Sequence, residues 1–266
     1  MRSAGPWRRG TWSAGWCSRC RWEKHCRRLI VDAIFYVVDN GIKWRALPAD
    51  FPPWLAVYKR FALWEKVGAA QRLLDALRDR VRLAEGRVAA PSAAVMDSQS
   101  VRTAATVGRA TRSWDGGTKV AGRKRHIVVD TPDLLVAVLV TPASTQDRVA
   151  ARSLLRRLRD TAGKRAAALV WADGGHTGPL LNRARTTLGR VVRIVQRPQV
   201  PYFTVLPRRW VVERSLARIT GHRRCVRDHE RHHHEAMVRW SMTPASGQGA
   251  RTSAGRPTMA DRSGPL

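Results

Sequence analysis

The sequence predicts an α/β protein in which a small all-helical segment precedes a mixed sheet flanked by helices. Over residues 29–85 the apolar residues recur with the 3.6-residue period of amphipathic helices. Beyond residue 93 the pattern changes to short β-branched runs that are interrupted by helical segments. One run, residues 166–172, is continuously apolar, as expected for a strand at the centre of a sheet. These three observations predict a helical domain followed by an α/β domain.

Three apolar stripes predict the helices of the first domain. The first stripe contains Ile30, Ala33, Ile34 and Val37, at the spacing i, i+3, i+4, i+7, and two similar stripes follow it. Three short helices with brief connections over residues 29–85 are typical of a helix-turn-helix-like DNA-binding unit. A module that only packs or dimerises is the alternative interpretation of the same pattern.

The second domain, residues 93–240, follows a linker at residues 86–92. Thr131-Pro132-Asp133 separates two β-branched runs and is therefore predicted to form the turn of a hairpin. In chain order we predict strands over residues 93–96, 123–130 and 134–141, a helix over 146–161, strands over 166–172 and 190–195, and a helix over 208–227.

The charge of the chain points to a polyanionic partner. The 266 residues include 49 Lys and Arg against 20 Asp and Glu, a formal net charge of +29, so nucleic acid is the expected partner. Because 42 of the 49 basic residues are Arg, a coding bias towards Arg is an alternative explanation. The apolar runs are too short to span a membrane, and four cysteines in so long a chain do not make a disulfide scaffold. We therefore expect no membrane partner.

Three carboxylates are candidate metal ligands because of their positions. Asp97 and Asp173 each follow an apolar strand, and Glu213 lies in a predicted helix among basic residues. Acids at two strand ends and on a packed helix can converge, and three such carboxylates bind Mg²⁺ through oxygen. A pair of such ions suits phosphodiester chemistry. The alternatives are that each Asp is only a turn residue and that Glu213 forms an ion pair with Arg209 in its own helix.

Several long runs resemble one protein family. The runs GIKWRALPADFPPW (41–54), VMDSQSVRTA (95–104), KVAGRKRHIVVDTPDLLVAVLVTPASTQDR (119–148), VWADGGHTG (170–178) and LPRRWVVERSLA (206–217) are similar to those of bacterial insertion-sequence transposases of the insertion-sequence-5 family. The resemblance covers about residues 29–240. It implies a ribonuclease-H-like fold for residues 93–240, with a DDE triad formed by Asp97, Asp173 and Glu213.

The resemblance also implies an activity. A transposase of this family cleaves phosphodiester bonds at the ends of its own element and transfers the freed strands to target DNA. We expect Mg²⁺ or Mn²⁺, in two copies, as the cofactor, double-stranded DNA as the partner, a homodimer, and a place in the bacterial cytoplasm near the nucleoid. An inactive, truncated or frameshifted remnant that binds DNA without cutting it is the alternative, and a cellular nuclease of the same fold is a further one.

Basic residues beside these motifs are candidate DNA contacts, with solvated surface charge as the alternative for each. Arg209 also matches the arginine that precedes the glutamate in the family's motif. The candidates are Lys59 and Arg60 on the second predicted helix, Lys119, Arg123, Lys124 and Arg125 at the hairpin, and Arg209, Arg214, Arg218, Arg223 and Arg224 near the last predicted helix.

The two ends of the chain show little pattern. Residues 1–28 have no sustained period and stay unassigned, with disorder expected, and residues 241–266 are rich in Ser, Gly, Pro and Thr and are expected to form a disordered tail. Cys17, Cys20, His25 and Cys26 resemble half of a zinc site, but unpaired thiols are the default interpretation. The histidines of residues 229–234 are expected on an exposed helical tail.

Overall fold

The computed structural model describes residues 24–163, 167–176, 178–195 and 209–252. It begins with three helices, α1 (Arg27–Asn40), α2 (Trp54–Lys66) and α3 (Ala69–Ala84). All four residues of the first predicted stripe are buried in α1. The helix ends at Gly41, which takes a left-handed conformation (φ +68°) and lies so close to Arg223 that a Cβ would clash. The three predicted helices are confirmed.

The buried face of α3 differs from the prediction. The third apolar stripe of the sequence contains Leu73, next to Leu74, and predicts that both are buried. Leu73 is 38% exposed, whereas Arg78 and Arg82 are buried. The reason is an ion pair: an NH group of Arg82 donates to Asp130 at 2.8 Å inside the protein. A basic residue with a buried partner thus occupies a place that the hydrophobic pattern alone would give to leucine.

A six-stranded mixed sheet follows the helices. Its spatial order is β2–β3–β1–β5–β6, and β4 also pairs with β3. The first four strands in the chain pair antiparallel, whereas β5 lies parallel to β1 and to β6. The strands are β1 (Ala93–Arg102), β2 (Ser113–Asp115), β3 (Val120–Asp130), β4 (Leu135–Pro142), β5 (Leu169–Ala172) and β6 (Val191–Ile194).

The strand before Asp97 is longer than predicted. We expected it to end at Met96, but β1 continues to Arg102, because residues 94–102 pair with residues 122–130 of β3. The two strands approach so closely that a Cβ on Gly122 would lie 1.9 Å from the carbonyl oxygen of Val101. Asp97 therefore lies inside a strand, not at its end.

Helices cover both faces of the sheet. On one face α4 (Asp147–Ala162) and α5 (Pro179–Leu188) pack against Met96, Val128 and other residues of that face. On the opposite face α6 (Arg209–Gly221) packs with Val95 and Ile127. The predicted hairpin turn is confirmed between β3 and β4, with Asp133 at φ +75°.

The C-terminal part of the chain differs from the prediction in two ways. The single helix expected over residues 208–227 is broken at His222 into α6 and α7 (Arg223–Val226). The disorder expected from residue 241 is wrong for the first residues, because α8 (His234–Thr252) continues through them and Ser241, Met242 and Thr243 are buried.

The N-terminal helices and the sheet share one apolar core. Residues of α1 and α3, such as Ile34 and Leu74, belong to the same buried cluster as Ile127 of the sheet and Trp240 of α8. Arg239 of α8 also donates to the side chain of Gln71 on α3 at 2.8 Å. The linker at residues 86–92 therefore joins two packed parts of one structure, not two independent domains.

Candidate active site

Asp97 and Asp173 lie on adjacent parallel strands. In the register of β1 and β5, Val95 pairs with Trp171. Asp97 lies two residues after Val95 within β1, and Asp173 lies two residues after Trp171, directly after the last residue of β5. Side chains alternate along a strand, so Asp97 points to the face that carries Val95 and is covered by α6. Both aspartates line one small cavity, together with Val212 of α6. The structure thus brings the first two predicted acids together.

Neighbouring donors orient both carboxylates. The backbone N–H of Ser98 donates to Oδ1 of Asp97 at 2.7 Å. Asp173 is held by the turn that follows it, since Nδ1 of His176 lies 2.6 Å from its Oδ1 and the N–H of Gly175 donates to the same oxygen at 3.1 Å. His176 is itself buried, which fixes its ring against Asp173.

Glu213 lies on the helix that covers this face. Val212, the residue before it, is buried and lines the cavity of the two aspartates. The side chain of Glu213 itself is exposed and is not part of the cavity wall. The structure therefore places the third predicted acid next to a residue of the cavity wall, but its own carboxylate does not line the cavity of the two aspartates.

The carboxylates of the aspartate pair are of the chemical type that binds a divalent cation. Converging carboxylate oxygens are the ligands that Mg²⁺ prefers. Among the described residues, however, no group of three His, Cys, Asp or Glu side chains lies close enough to hold a metal ion. Asp97 and Asp173 would supply the first ligands, and Glu213 would have to join them from α6.

Three basic residues that we expected to contact DNA are buried. Their guanidinium groups bond to partners within the chain and fasten the C-terminal segment to the rest of the protein. The prediction of DNA contact is therefore wrong for these residues. Arg123 donates to Asp228 at 3.0 Å, Arg125 donates to the carbonyl of Cys225 at 2.7 Å, and Arg224 donates to Glu230 at 2.7 Å.

Lys124 is also almost fully buried, at 9% exposure. Its Nζ lies 3.4 Å from Asp115 and 3.4 Å from Asp147, so the ammonium bridges two carboxylates of the protein. Hydrogen bonds from Ser100, Thr118 and backbone amides keep the pKa of Asp115 below its usual range, although burial alone would raise that pKa. The structure replaces the expected DNA contact of Lys124 with an internal ion-pair network.

The remaining candidate DNA contacts lie nearer to solvent. Lys59, Lys119 and Arg223 are exposed, and Arg60 is half-buried. Arg214 and Arg218 are both exposed and both form ion pairs at 2.7 Å with the buried carboxylate of Asp133 in the hairpin turn. The side chain of Arg209 lies outside the described residues.

An open groove of about 510 Å³ is lined by Gly175, two residues after Asp173. The groove is also lined by Trp114 of β2, which is 57% exposed, and by Arg148 at the start of α4. An exposed tryptophan beside a basic residue can stack on a nucleobase. Sequence reasoning missed this groove, because β2 has only three residues and no recognisable pattern.

Sequence reasoning also missed Asp147 and His126. Asp147 begins α4 and contacts Ser98, the residue after Asp97, at 2.7 Å. His126 is buried in β3, and burial lowers its pKa to about 4, with opposing contributions from Asp147, which raises it, and from Lys124 and His176, which lower it. An acidic residue in the first turn of a helix was the available signal for Asp147, but it indicates a helix start more often than a site.

Two smaller expectations concern cysteine and histidine. Of the proposed zinc half-site, Cys17 and Cys20 lie outside the described residues, whereas His25 and Cys26 directly precede α1. The exposed helical tail expected for the histidines is wrong for two of them. His233 packs edge-on against Phe61, and His234 lies against the guanidinium of Arg123.

Comparison with known proteins agrees with the fold. Residues 6–74 match the family model for transposases of the IS4/5 family, and residues 89–242 match the model for the transposase DDE domain. The first match begins at residue 6, so the similarity reaches further towards the N terminus than the expected start near residue 29. No curated protein matches the chain closely. Among the described residues no helix is both long and apolar enough to cross a membrane.

The matched DDE domain has a ribonuclease-H-like fold, and the sheet observed over the same residues has the mixed pairing that we expected for it. This match covers more than half of the chain, and it contains Asp97, Asp173 and Glu213. The chain therefore belongs to the IS4/5 family of DDE transposases.

Proposed function

We propose that the protein is a metal-dependent transposase that cleaves DNA at the ends of its own insertion sequence and joins the freed strands to target DNA. The observation that carries this proposal is the placement of Asp97 and Asp173 around one cavity, on adjacent parallel strands of the DDE domain. Glu213, on the helix that covers this cavity, is the third acid of the proposed site.

The proposed chemistry consists of two phosphoryl transfers. In the first, a water oxygen attacks the phosphorus at the element end, and the 3′ oxygen leaves as a hydroxyl. In the second, that 3′-OH attacks a phosphodiester of the target, so one P–O bond forms as another breaks. When bound, Mg²⁺ or Mn²⁺ supplies activation of the attacking oxygen and stabilisation of the leaving oxygen. Positioning and charge neutralisation are what the protein contributes to such a reaction.

The residues have separate roles in this proposal. Asp97, Asp173 and Glu213 would hold two divalent ions through carboxylate oxygen. His176 and the amide of Gly175 keep Asp173 in place, since both bond to its Oδ1.

DNA is the proposed partner. Three exposed basic residues, Lys59, Lys119 and Arg223, remain candidates for phosphate contact, and the net charge of +29 favours association with any polyanion. The groove beside Trp114 and Arg148 would receive the strand that flanks the scissile phosphate. Cleavage at two element ends would engage two copies of the protein, so a homodimer is the proposed assembly.

A supercoiled plasmid that carries the two element ends tests the proposal. With Mg²⁺ we expect nicking at these ends, no nicking with EDTA, and none above background on a matched plasmid with scrambled ends. The affinity for DNA should fall steeply as salt rises, because bound phosphates release counterions. Binding without any nicking in Mg²⁺ or Mn²⁺ would contradict the enzymatic proposal, and nicking that ignores the end sequence would indicate a general nuclease.

A further inference from the structure

We propose that Asp147 is a positioning residue for Asp97 and Asp173, a role that rests on the proposed nuclease function. Asp147 is the first residue of α4 and belongs to neither of the strands that carry the two acids. Its carboxylate nevertheless accepts a bond from Ser98, the residue after Asp97, and lies near Gly175, whose N–H donates to Asp173. It therefore ties the helix on one face of the sheet to the cavity on the other.

The first contact is with the strand of Asp97. The hydroxyl of Ser98 donates to Oδ1 of Asp147 at 2.7 Å. Ser98 follows Asp97 directly, and its own backbone N–H donates to the Asp97 carboxylate at 2.7 Å. The side chain of Ser98 thus fixes β1 to α4 at the residue whose amide orients Asp97.

The second contact is with β3, the antiparallel partner of β1. Nζ of Lys124 lies 3.4 Å from Oδ1 of Asp147, and Nδ1 of His126 lies 3.7 Å from the same oxygen. Ser98 pairs with His126 in the β1–β3 register, so the carboxylate sits over one cross-strand pair. Both basic side chains are buried, which gives this anchor little freedom.

Asp147 also lies near the turn of Asp173. A Cβ added to Gly175 would lie 3.3 Å from Oδ1 of Asp173 and 3.6 Å from Oδ2 of Asp147. Both carboxylates therefore lie close to the same glycine. The N–H of Gly175 donates to Asp173, so a shift of this turn would move that carboxylate.

The two oxygens of the Asp147 carboxylate face different neighbours. Oδ1 takes the contacts of β1 and β3, whereas Oδ2 faces the turn that carries Asp173. A reacting group that is displaced by as little as about 1 Å can lose about a hundredfold in rate. Removing the Asp147 carboxylate should therefore slow the chemical step while leaving DNA binding to other residues.

The kinetic test compares five variants with the wild type at saturating DNA and saturating Mg²⁺. We expect Asp147→Ala to lower the single-turnover cleavage rate by about ten- to a hundredfold. The affinity for DNA should equal or exceed that of the wild type, because Asp147 also lines the groove proposed for DNA and the change removes a negative charge. Asp147→Asn, which keeps an acceptor for Ser98, should lose less. Asp160→Ala, on the exposed part of the same helix, is the matched control and should cleave at the wild-type rate. Ser98→Ala should be slower than the wild type, and combining it with Asp147→Ala should cost less than the product of the two single losses.

Hydrogen–deuterium exchange supplies a readout that needs no activity. We expect the amides of residues 174–176 to exchange at least about threefold faster in Asp147→Ala than in Asp160→Ala, at equal thermal stability of the two variants. Unchanged exchange together with a wild-type cleavage rate would overturn the role of Asp147. If the wild type itself does not cleave, the proposed function fails, but faster exchange in Asp147→Ala would still support the positioning role and unchanged exchange would still refute it.

Discussion

Burial of the His126 side chain makes the stability of this protein depend on pH. Its ring is buried in β3, and its Nε2 bonds to the hydroxyl of Thr141 at 2.9 Å. Burial lowers its pKa from 6.5 to about 4, despite the nearby carboxylate of Asp147. Below pH 6.5 the unfolded chain therefore takes up a proton that the folded chain refuses, so this residue makes the protein less stable as the pH falls from about 6.5 to about 4.

We predict that His126→Gln weakens this pH dependence. In the wild type the effect of His126 on the free energy of unfolding amounts to about 3 kcal/mol between pH 7 and pH 4. Urea denaturation at several pH values should show a shallower slope for His126→Gln than for the wild type. His232→Gln, at an exposed position, is the matched control and should keep the wild-type slope. An identical slope for both variants would count against a low pKa for His126.

At the scale of elements, the β3–β4 turn anchors the helix that carries Glu213. The carboxylate of Asp133 is fully buried, accepts hydrogen bonds from Arg214 at 2.7 Å and from the hydroxyl of Ser215, and forms an ion pair with Arg218 at 2.7 Å. All three of these residues follow Glu213 along α6. The turn therefore holds α6 on the sheet through these side chains. The sequence had suggested Arg214 and Arg218 only as candidate DNA contacts.

We predict that Asp133→Asn destabilises the protein by about 2 kcal/mol, because charge-assisted bonds are lost. Asparagine tolerates the left-handed backbone of this position, so the loss would report on the carboxylate and not on the backbone. Urea denaturation measures the change, with Asp160→Asn as a control on the exposed surface. A stability equal to that of the wild type would show that Asp133 does not anchor α6.

The elements were predictable from local patterns, whereas the contacts between them were not. The stripe of α1 and the turn at residues 131–133 are encoded by neighbouring residues, and both are confirmed. The bond from Ser98 to Asp147 spans 49 residues, and that from Arg123 to Asp228 spans 105. No local period reports such partners, so arginines that hold the fold together looked like surface charge in the sequence.

At the scale of the whole molecule, helices and sheet form one unit around the acids. The cluster that contains Ile34 and Phe61 of the N-terminal helices also contains Val95, two residues before Asp97, and Val212, one residue before Glu213. The net charge of +29 now divides into two parts. Buried arginines such as Arg123 hold this unit together, and exposed residues such as Lys59 remain candidates for contact with DNA.

We propose that Asp97, Asp173 and Glu213 act on DNA as one set of acids. The most direct measurement compares Asp97→Asn, Asp173→Asn and Glu213→Gln with the wild type on DNA that carries the element ends, recording cleavage and binding together. Each change removes a negative charge and little volume, so we predict at least about a hundredfold slower cleavage for every variant, with affinity for DNA equal to or above that of the wild type. Wild-type cleavage by any one of the three would contradict the claim for that residue, and wild-type cleavage by Asp97→Asn or Asp173→Asn would contradict the proposed active site.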